Sequence, residues 1–144
     1  MKPPAEDTAA REPIWDAMQD FWMDTDPEFA LADIARTCAR SGYSIDELRA
    51  IYWNEVRPAV SFNMAMMPAP EWAGFELEWL KRRILKTSRF GKPLPREWLH
   101  PYCAGWWQRL AAEVGRRRAL ATLEIRPRTA GCADAADDAT VGGA

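Results

Sequence analysis

The clearest chemical pattern in this chain is a row of carboxylates near its start. Asp16, Asp20 and Asp24 recur every four residues, a spacing that places them on one face of a helix. Paired carboxylates at this spacing can hold a metal ion, but metal sites in helical bundles lie among inward-facing apolar residues. This row lies opposite the apolar residues of its own segment. We therefore interpret it as a solvent-exposed face that suits a basic protein surface.

Signals of catalysis are sparse. The single histidine, His100, directly precedes Pro101, and the sequence contains no GxSxG, Walker-type, GxGxxG or HExxH motif. The three cysteines, Cys38, Cys103 and Cys132, form no CxxC pair, so the sequence predicts neither a zinc site nor a thioredoxin-like site. We predict a protein that is not an enzyme and holds no cofactor or metal. The odd number of cysteines, without an export signal, favours the cytoplasm.

Composition indicates one globular domain. The chain has 144 residues, of which 48% are hydrophobic and 28% charged, and it contains eight tryptophans. No apolar run approaches the roughly 18–20 residues needed to cross a bilayer, so we expect no membrane association. Residues 1–10 lack the apolar segment of a secretory signal. These features predict a small soluble protein and name no activity.

The net charge of −2 conceals an uneven distribution along the chain. Residues 1–78 contain 15 acidic and 6 basic residues, whereas residues 79–128 contain 13 basic and 3 acidic ones. Two interpretations remain open. Either the surface is polarised, with one face for a basic partner and another for an acidic one, or the two halves attract each other and pack as neighbours.

Helical periodicity and start signals predict the first three helices. The first runs over 12–23 with Pro13 in its first turn, and the second opens at Asp26 and is closed by a left-handed Gly42. Ser44 and Glu47 form a capping box that starts the third helix at Ile45. Pro58 is expected to end or kink this helix near Val56 or Arg57.

The rest of the chain predicts two more helices and a tail. Residues 59–74 are read as a loop, 75–87 as a fourth helix, and 102–123 as a last helix whose inner face includes Ala121. Residues 129–144 are too weakly apolar to fold, and 1–10 form a flexible lead. The predicted fold is a single compact all-α bundle of about five helices over 11–128, with disordered ends.

The main alternative to an immunity function is a nucleic-acid-binding or regulatory protein that uses the basic, Trp-rich C-terminal half. The basic half carries Trp79, Arg82, Arg83 and Lys86 on one side of a predicted helix, where the tryptophan would stack a base. The isoelectric point near 5.5 disfavours this function, because nucleic-acid binders usually carry an excess of basic residues.

Three segments carry a resemblance to a family of small bacterial proteins of unassigned function. They are REPIWDAMQDFWMDTD, IARTCARSGYSIDELRAIYWNEVRPAV and EWAGFELEWLKRRI, together covering about 11–85. WAGF, residues 72–75, is the most specific element, although Gly74 also suits a simple tight turn with Trp72 and Phe75 buried. The resemblance implies a compact helical domain in the bacterial cytoplasm. It further implies an immunity protein, encoded beside toxins such as those delivered by type VI secretion.

The favoured function is therefore a non-enzymatic immunity protein that binds a cognate secreted toxin, with a nuclease as the natural basic target, and occludes its active site. Neither the toxin nor the oligomeric state follows from the sequence. The predicted partner-binding residues form a first cluster and a second one: Asp16, Asp20, Asp24, Asp26 and Glu28, then Glu47 and Glu55.

Overall fold

Six α-helices build the described part of the protein. The computed structural model describes residues 1–23, 26–66, 76–88 and 100–125, and for residues 62–66 and 125 it describes the backbone alone. The helices are α1 (Thr8–Gln19), α2 (Pro27–Arg40), α3 (Ile45–Ile51), α4 (Arg57–Met66), α5 (Leu77–Thr87) and α6 (Pro101–Ile125). Short 3₁₀ turns flank α1 at Pro4–Glu6 and Asp20–Trp22, and a π-helical turn, Tyr52–Val56, joins α3 to α4. Every regular element in these ranges is helical, which confirms the predicted all-α class.

Some predictions fall on residues outside the described ranges. These predictions concern Asp24, the WAGF motif at 72–75 and the tail at 129–144.

The first helix begins earlier than predicted. It starts at Thr8 and not near residue 12, so Pro13 lies inside the helix and part of the predicted flexible lead is helical. Side-chain hydrogen bonds stabilise this start. Thr8 Oγ1 donates to the Pro4 carbonyl at 2.9 Å, and Arg11 donates to the Lys2 carbonyl. These contacts link residues before the helix to residues inside it, and a proline pattern alone does not reveal them.

The second helix has the predicted start and a different end. Asp26 caps it by accepting a hydrogen bond from the Glu28 amide at 3.0 Å, which confirms the predicted N-cap. Gly42 does not adopt the predicted left-handed conformation. Instead, Ser41 Oγ donates to the Cys38 carbonyl at 2.7 Å, and the Arg118 guanidinium from α6 binds the same carbonyl at 3.0 Å. An arginine from another helix, and not a left-handed glycine, therefore binds the carbonyls at the end of α2.

The third helix starts at the predicted capping box, with both of its hydrogen bonds formed. Pro58 was expected to end or kink this helix. It does not end the helix, because the chain stays helical to Met66, and residues 59–66 are therefore helical and not part of the predicted loop. In an α-helix, the Pro58 ring would clash with the carbonyl of Asn54. The π-helical turn Tyr52–Val56 widens the helix at this place and so accommodates the proline.

Tyr52 is the centre of the core. The rings of Trp22, Trp53 and Trp107 lie 5.1, 5.3 and 5.5 Å from its ring, and that of Phe21 lies at 6.0 Å. Its hydroxyl donates to the Cys103 carbonyl at 2.9 Å, which ties α6 to the π-helical turn. Much of the unusual tryptophan content is thus used in packing helices from both halves of the chain together.

The last helix packs along α2 and points in the same direction. Arg109 contacts Glu28 near the start of α2, and Arg118 contacts carbonyls at its end. The predicted inner face is confirmed at Trp107, which is buried, but Ala121 is exposed because the helix extends past the end of α2. No helix in the described ranges is long and apolar enough to cross a membrane.

Candidate functional site

Four predicted partner-binding residues lie where α1 ends and α2 begins. We call the surface formed by Asp16, Asp20, Asp26 and Glu28 the acidic surface. The sequence places Asp16 and Asp20 one helical turn apart. The turn that begins at Asp20 packs against α2, so the chain brings both helix ends to one side of the molecule.

Asp20 is a carboxylate in an unfavourable place. Its side chain is half-buried, and this burial raises its pKa, which the neighbouring charge of Asp16 raises further. It also caps the C-terminal end of α1, where the helix dipole disfavours a negative charge. In the described ranges, no Lys or Arg forms an ion pair with Asp16 or Asp20. The neighbouring Asp16 is exposed and accepts a hydrogen bond from Gln19 Nε2 at 2.8 Å.

Glu28 differs because its charge is already balanced. Arg109 donates to both of its carboxylate oxygens, with Nη2 at 2.5 Å from Oε2, and these bonds lower the pKa of Glu28. The same guanidinium carbon lies 4.6 Å from the centroid of the Trp106 ring. Asp26 is exposed and occupied as an N-cap. Asp16 and Asp20 are therefore the members of the acidic surface whose charges are least compensated within the chain.

Apolar side chains accompany the acidic surface. Phe29, next to Glu28 in the first turn of α2, is 84% exposed, and Tyr102 is 58% exposed. The Tyr102 ring lies 6.2 Å from that of Trp106, the ring that carries Arg109. Exposed aromatic residues beside charged ones are typical of the residues that contribute most to protein interfaces.

Glu55 is not a surface residue. Only 4% of it is exposed, and its carboxylate accepts hydrogen bonds from the fully buried Arg11 and from Trp15 Nε1, the latter at 2.8 Å. Burial raises the pKa of Glu55, while the Trp15 hydrogen bond and the Arg11 charge act to lower it. Since this carboxylate is enclosed and used internally, we leave it out of the partner-binding surface.

Glu47 acts first as a capping residue. Its Oε2 accepts from the Ser44 amide at 2.8 Å, which lowers its pKa. The predicted second cluster thus consists of one capping residue and one interior residue. Both nevertheless line a cavity of about 500 Å³ whose walls include Pro3, Pro4, Asp46, Ala50, Asn54 and Ser88.

Sequence reasoning missed the buried Arg11, although a signal was present. Arg11 precedes Ile14 by three residues and Trp15 by four, so it lies on the apolar face of α1. Glu55 likewise adjoins the buried Val56 on the inner side of the π-helical turn. Opposite charges on two apolar faces are the pattern of an internal ion pair, since buried charges need partners.

The residues of the nucleic-acid alternative lie on α5. Trp79 is partly buried against the core, and Arg82 donates through Nε to the Glu78 carbonyl at 3.2 Å. Ion pairs that join the acidic and basic halves, Glu12 with Lys81 and Glu28 with Arg109, favour the interpretation that the halves pack as neighbours.

His100 is the histidine of this chain, and it lies directly before α6. His100 is half-buried, and burial and the charge of Arg57 lower its pKa. No group of three or more His, Cys, Asp or Glu side chains that could hold a metal ion occurs in the part of the chain that is described.

Residues 9–119 match a protein family described as a domain of unknown function (DUF7079). The chain belongs to this family. The DUF7079 match extends well beyond Leu85, where the recognised motifs end, so most of the basic, Trp-rich region is part of the family domain. No curated protein and no solved structure matches the chain significantly.

Proposed function

We propose that this DUF7079 protein is a non-enzymatic immunity protein that binds a basic, secreted antibacterial toxin through its acidic surface. The toxin's active site, or the entrance for its substrate, would be covered by the bound protein. Asp16 and Asp20 are the central residues of this surface. Asp26, Glu28 and the exposed aromatic Phe29 extend it along α2.

The observation that carries the proposal is the charge of Asp20. Burial, a neighbouring carboxylate and the C-terminal end of a helix all disfavour ionisation of this side chain. A neutral residue would suit the isolated fold better. Groups that lower stability in this way are characteristic of functional sites, where a partner or ligand compensates them.

A cationic partner would provide that compensation. A Lys or Arg side chain placed between Asp16 and Asp20 would turn their repulsion into two attractive interactions, and exclusion of water would strengthen both. Nucleases are suitable partners because their active-site clefts attract the negative charge of phosphate. A pair of carboxylates carries negative charge too, so the same clefts would attract it. Such complementarity also speeds association.

The resemblance in the sequence supports the same proposal from a different direction, since its motifs are of the kind found in proteins encoded beside polymorphic toxins. The chain also has no recognisable catalytic motif. Binding alone is sufficient for an immunity protein.

Charge reversal tests the proposal. The tagged protein, expressed in its native host, is used to capture partners that are identified by mass spectrometry, and the purified pair is then measured by calorimetry. We expect one basic toxin at near-equal amounts, inhibited by the wild-type protein. The Asp16→Lys, Asp20→Lys double variant should bind it at least a hundredfold more weakly, since truncating one partner of a buried interfacial charge pair costs about 2–5 kcal/mol.

The matched control is the Glu76→Lys, Glu124→Lys variant, which makes the same change in net charge at two exposed positions. Its affinity should stay within a few-fold of wild type, and circular dichroism should show unchanged helicity in both variants. Equal affinity of the two variants, or capture of no toxin, would refute the proposal.

A further inference from the structure

A cleft lined by arginines lies where the end of α2 meets α6. Its volume is about 420 Å³, within the range of small-molecule sites. Three neighbouring arginines of α6 face two from α2 across it, and Glu124 is the one carboxylate among its described lining residues. The arginines are Arg36, Arg40, Arg116, Arg117 and Arg118.

Arg118 is held in position before any ligand arrives. Its Nε donates to the Ala39 carbonyl at 3.3 Å, and its Nη2 lies 2.7 Å from the Tyr43 carbonyl and 3.0 Å from that of Cys38. None of its described hydrogen bonds uses Nη1. A guanidinium fixed in this way loses little further freedom when an anion binds, so the cleft is partly preorganised.

The remaining arginines are only partly neutralised. Glu113 accepts hydrogen bonds from both Arg116 and Arg117, so one carboxylate serves two cations. Arg36 pairs with Asp33 at 2.9 Å, but both side chains are more than half exposed, and such surface pairs are weak. Arg40 is exposed and forms no ion pair with a described carboxylate. Positive charge therefore exceeds negative charge in this cleft.

We propose that the cleft binds a compact polyphosphate group, such as the di- or triphosphate of a nucleotide. Planar guanidinium groups bind phosphate oxygens through paired hydrogen bonds, and several in one small cleft suit phosphates that are directly linked. In a nucleic-acid strand a sugar separates successive phosphates. The described lining also contains no aromatic ring, the group on which single-strand binding sites stack bases. These features favour a small ligand over a strand.

This site is separate from the acidic surface of the proposed function. Glu28 and Arg40 lie twelve residues apart on α2, which corresponds to roughly 18 Å along the helix axis. Failure of one proposal therefore leaves the other unaffected.

Calorimetry of the full chain with inorganic triphosphate, in 150 mM NaCl, tests the inference. We expect saturable one-to-one binding. The Arg36→Gln, Arg40→Gln variant should weaken it at least tenfold and should melt at the wild-type temperature, because both side chains are exposed. Arg118 is left unchanged, because it also holds the end of α2.

The control is the Arg82→Gln, Lys86→Gln variant, which removes two exposed charges from α5. It should bind triphosphate within twofold of wild type. Equal losses of triphosphate affinity in both variants would mean that binding depends only on the overall positive charge, and this result would overturn the proposal. Weak, unsaturable binding would overturn it too, as would tighter binding of a 12-nucleotide single strand through the same arginines.

Discussion

Two carboxylates of this fold, Glu55 and Asp20, differ in how their negative charges are compensated. Glu55 is almost fully buried but receives hydrogen bonds from Arg11 and Trp15. Asp20 is only half-buried, yet its pKa is raised by burial and by the charge of another carboxylate, Asp16. Glu55 is therefore stabilised by partners within the fold, whereas no described Lys or Arg forms an ion pair with Asp20.

The raised pKa of Asp20 predicts a specific dependence of stability on pH. When the folded state raises the pKa of a carboxyl group, its contribution to stability is fully present below the unfolded pKa. That contribution is lost as pH rises through the folded pKa. Asp20→Asn should thus be more stable than wild type at pH 7, by up to about 0.5 kcal/mol. The two proteins should be equally stable near pH 3.

Urea denaturation at both pH values measures this difference. Asp33→Asn serves as the control, because Asp33 is exposed and paired with Arg36. A neutral substitution at Asp33 should bring no gain at pH 7. If Asp20→Asn is no more stable than wild type at pH 7, the charge of Asp20 does not lower the stability of the folded protein.

The Arg11–Glu55 pair predicts a strong non-additive effect. Glu55→Gln keeps an acceptor for Trp15 but removes the buried carboxylate that pairs with Arg11, which leaves only the more distant Asp7, 3.7 Å from Arg11 Nε, as a described ion-pair partner. This change should lower the free energy of unfolding by about 3 kcal/mol. The double variant Arg11→Met, Glu55→Gln removes both charges and should recover most of this loss. Urea denaturation of wild type, Arg11→Met, Glu55→Gln and the double variant measures the coupling. Additive losses would contradict an internal ion pair.

Helix ends in this protein depend on contacts that local sequence patterns do not contain. The starts of α2 and α3 are encoded within three residues, by Asp26 and by the Ser44–Glu47 box, and both were predictable. The end of α2 is completed by Arg118, which lies some eighty residues further along the chain. Local sequence rules predicted a left-handed cap at Gly42, because such rules consider only neighbouring residues and not a side chain from another helix.

Arg118 should accordingly contribute more to stability than its neighbours. Arg118→Met removes hydrogen bonds from a charged group to several carbonyls at the end of α2, and should cost about 2 kcal/mol. Arg116→Met breaks only an exposed pair with Glu113 and should cost less than about 0.5 kcal/mol. Thermal or urea unfolding of the two variants distinguishes them. Equal losses would mean that Arg118 is no more than another surface charge.

At the scale of the whole molecule, the charge imbalance along the chain is used in two ways. Some opposite charges meet across the halves, as Glu12 and Lys81 do, and hold the bundle together. The remainder is separated: uncompensated carboxylates lie where α1 ends, and arginines collect at the far end of α2. The ion pairs favour the interpretation that the two halves pack as neighbours, while the arginine cleft combines residues from both halves.

Sequence patterns predicted the helical class, the starts of α2 and α3 and the exposed position of Asp16. They did not separate Glu55 from a surface carboxylate, because its burial becomes evident only when it is paired with Arg11, which lies forty-four residues earlier on another apolar face. The arginine cleft was missed for the same reason. Its members belong to two helices that are distant in sequence and come together only through the parallel packing of α2 and α6.

The π-helical turn predicts a pattern that an alignment of DUF7079 proteins would test. A π-helical turn is in effect an α-helix with one inserted residue, so deleting one residue within Tyr52–Val56 would restore an ordinary helix and leave the faces on either side in register. A family member without a proline at the position of Pro58 would have no steric need for the wider turn. A one-residue gap in an alignment at this place, paired with loss of that proline, would record where the turn arose.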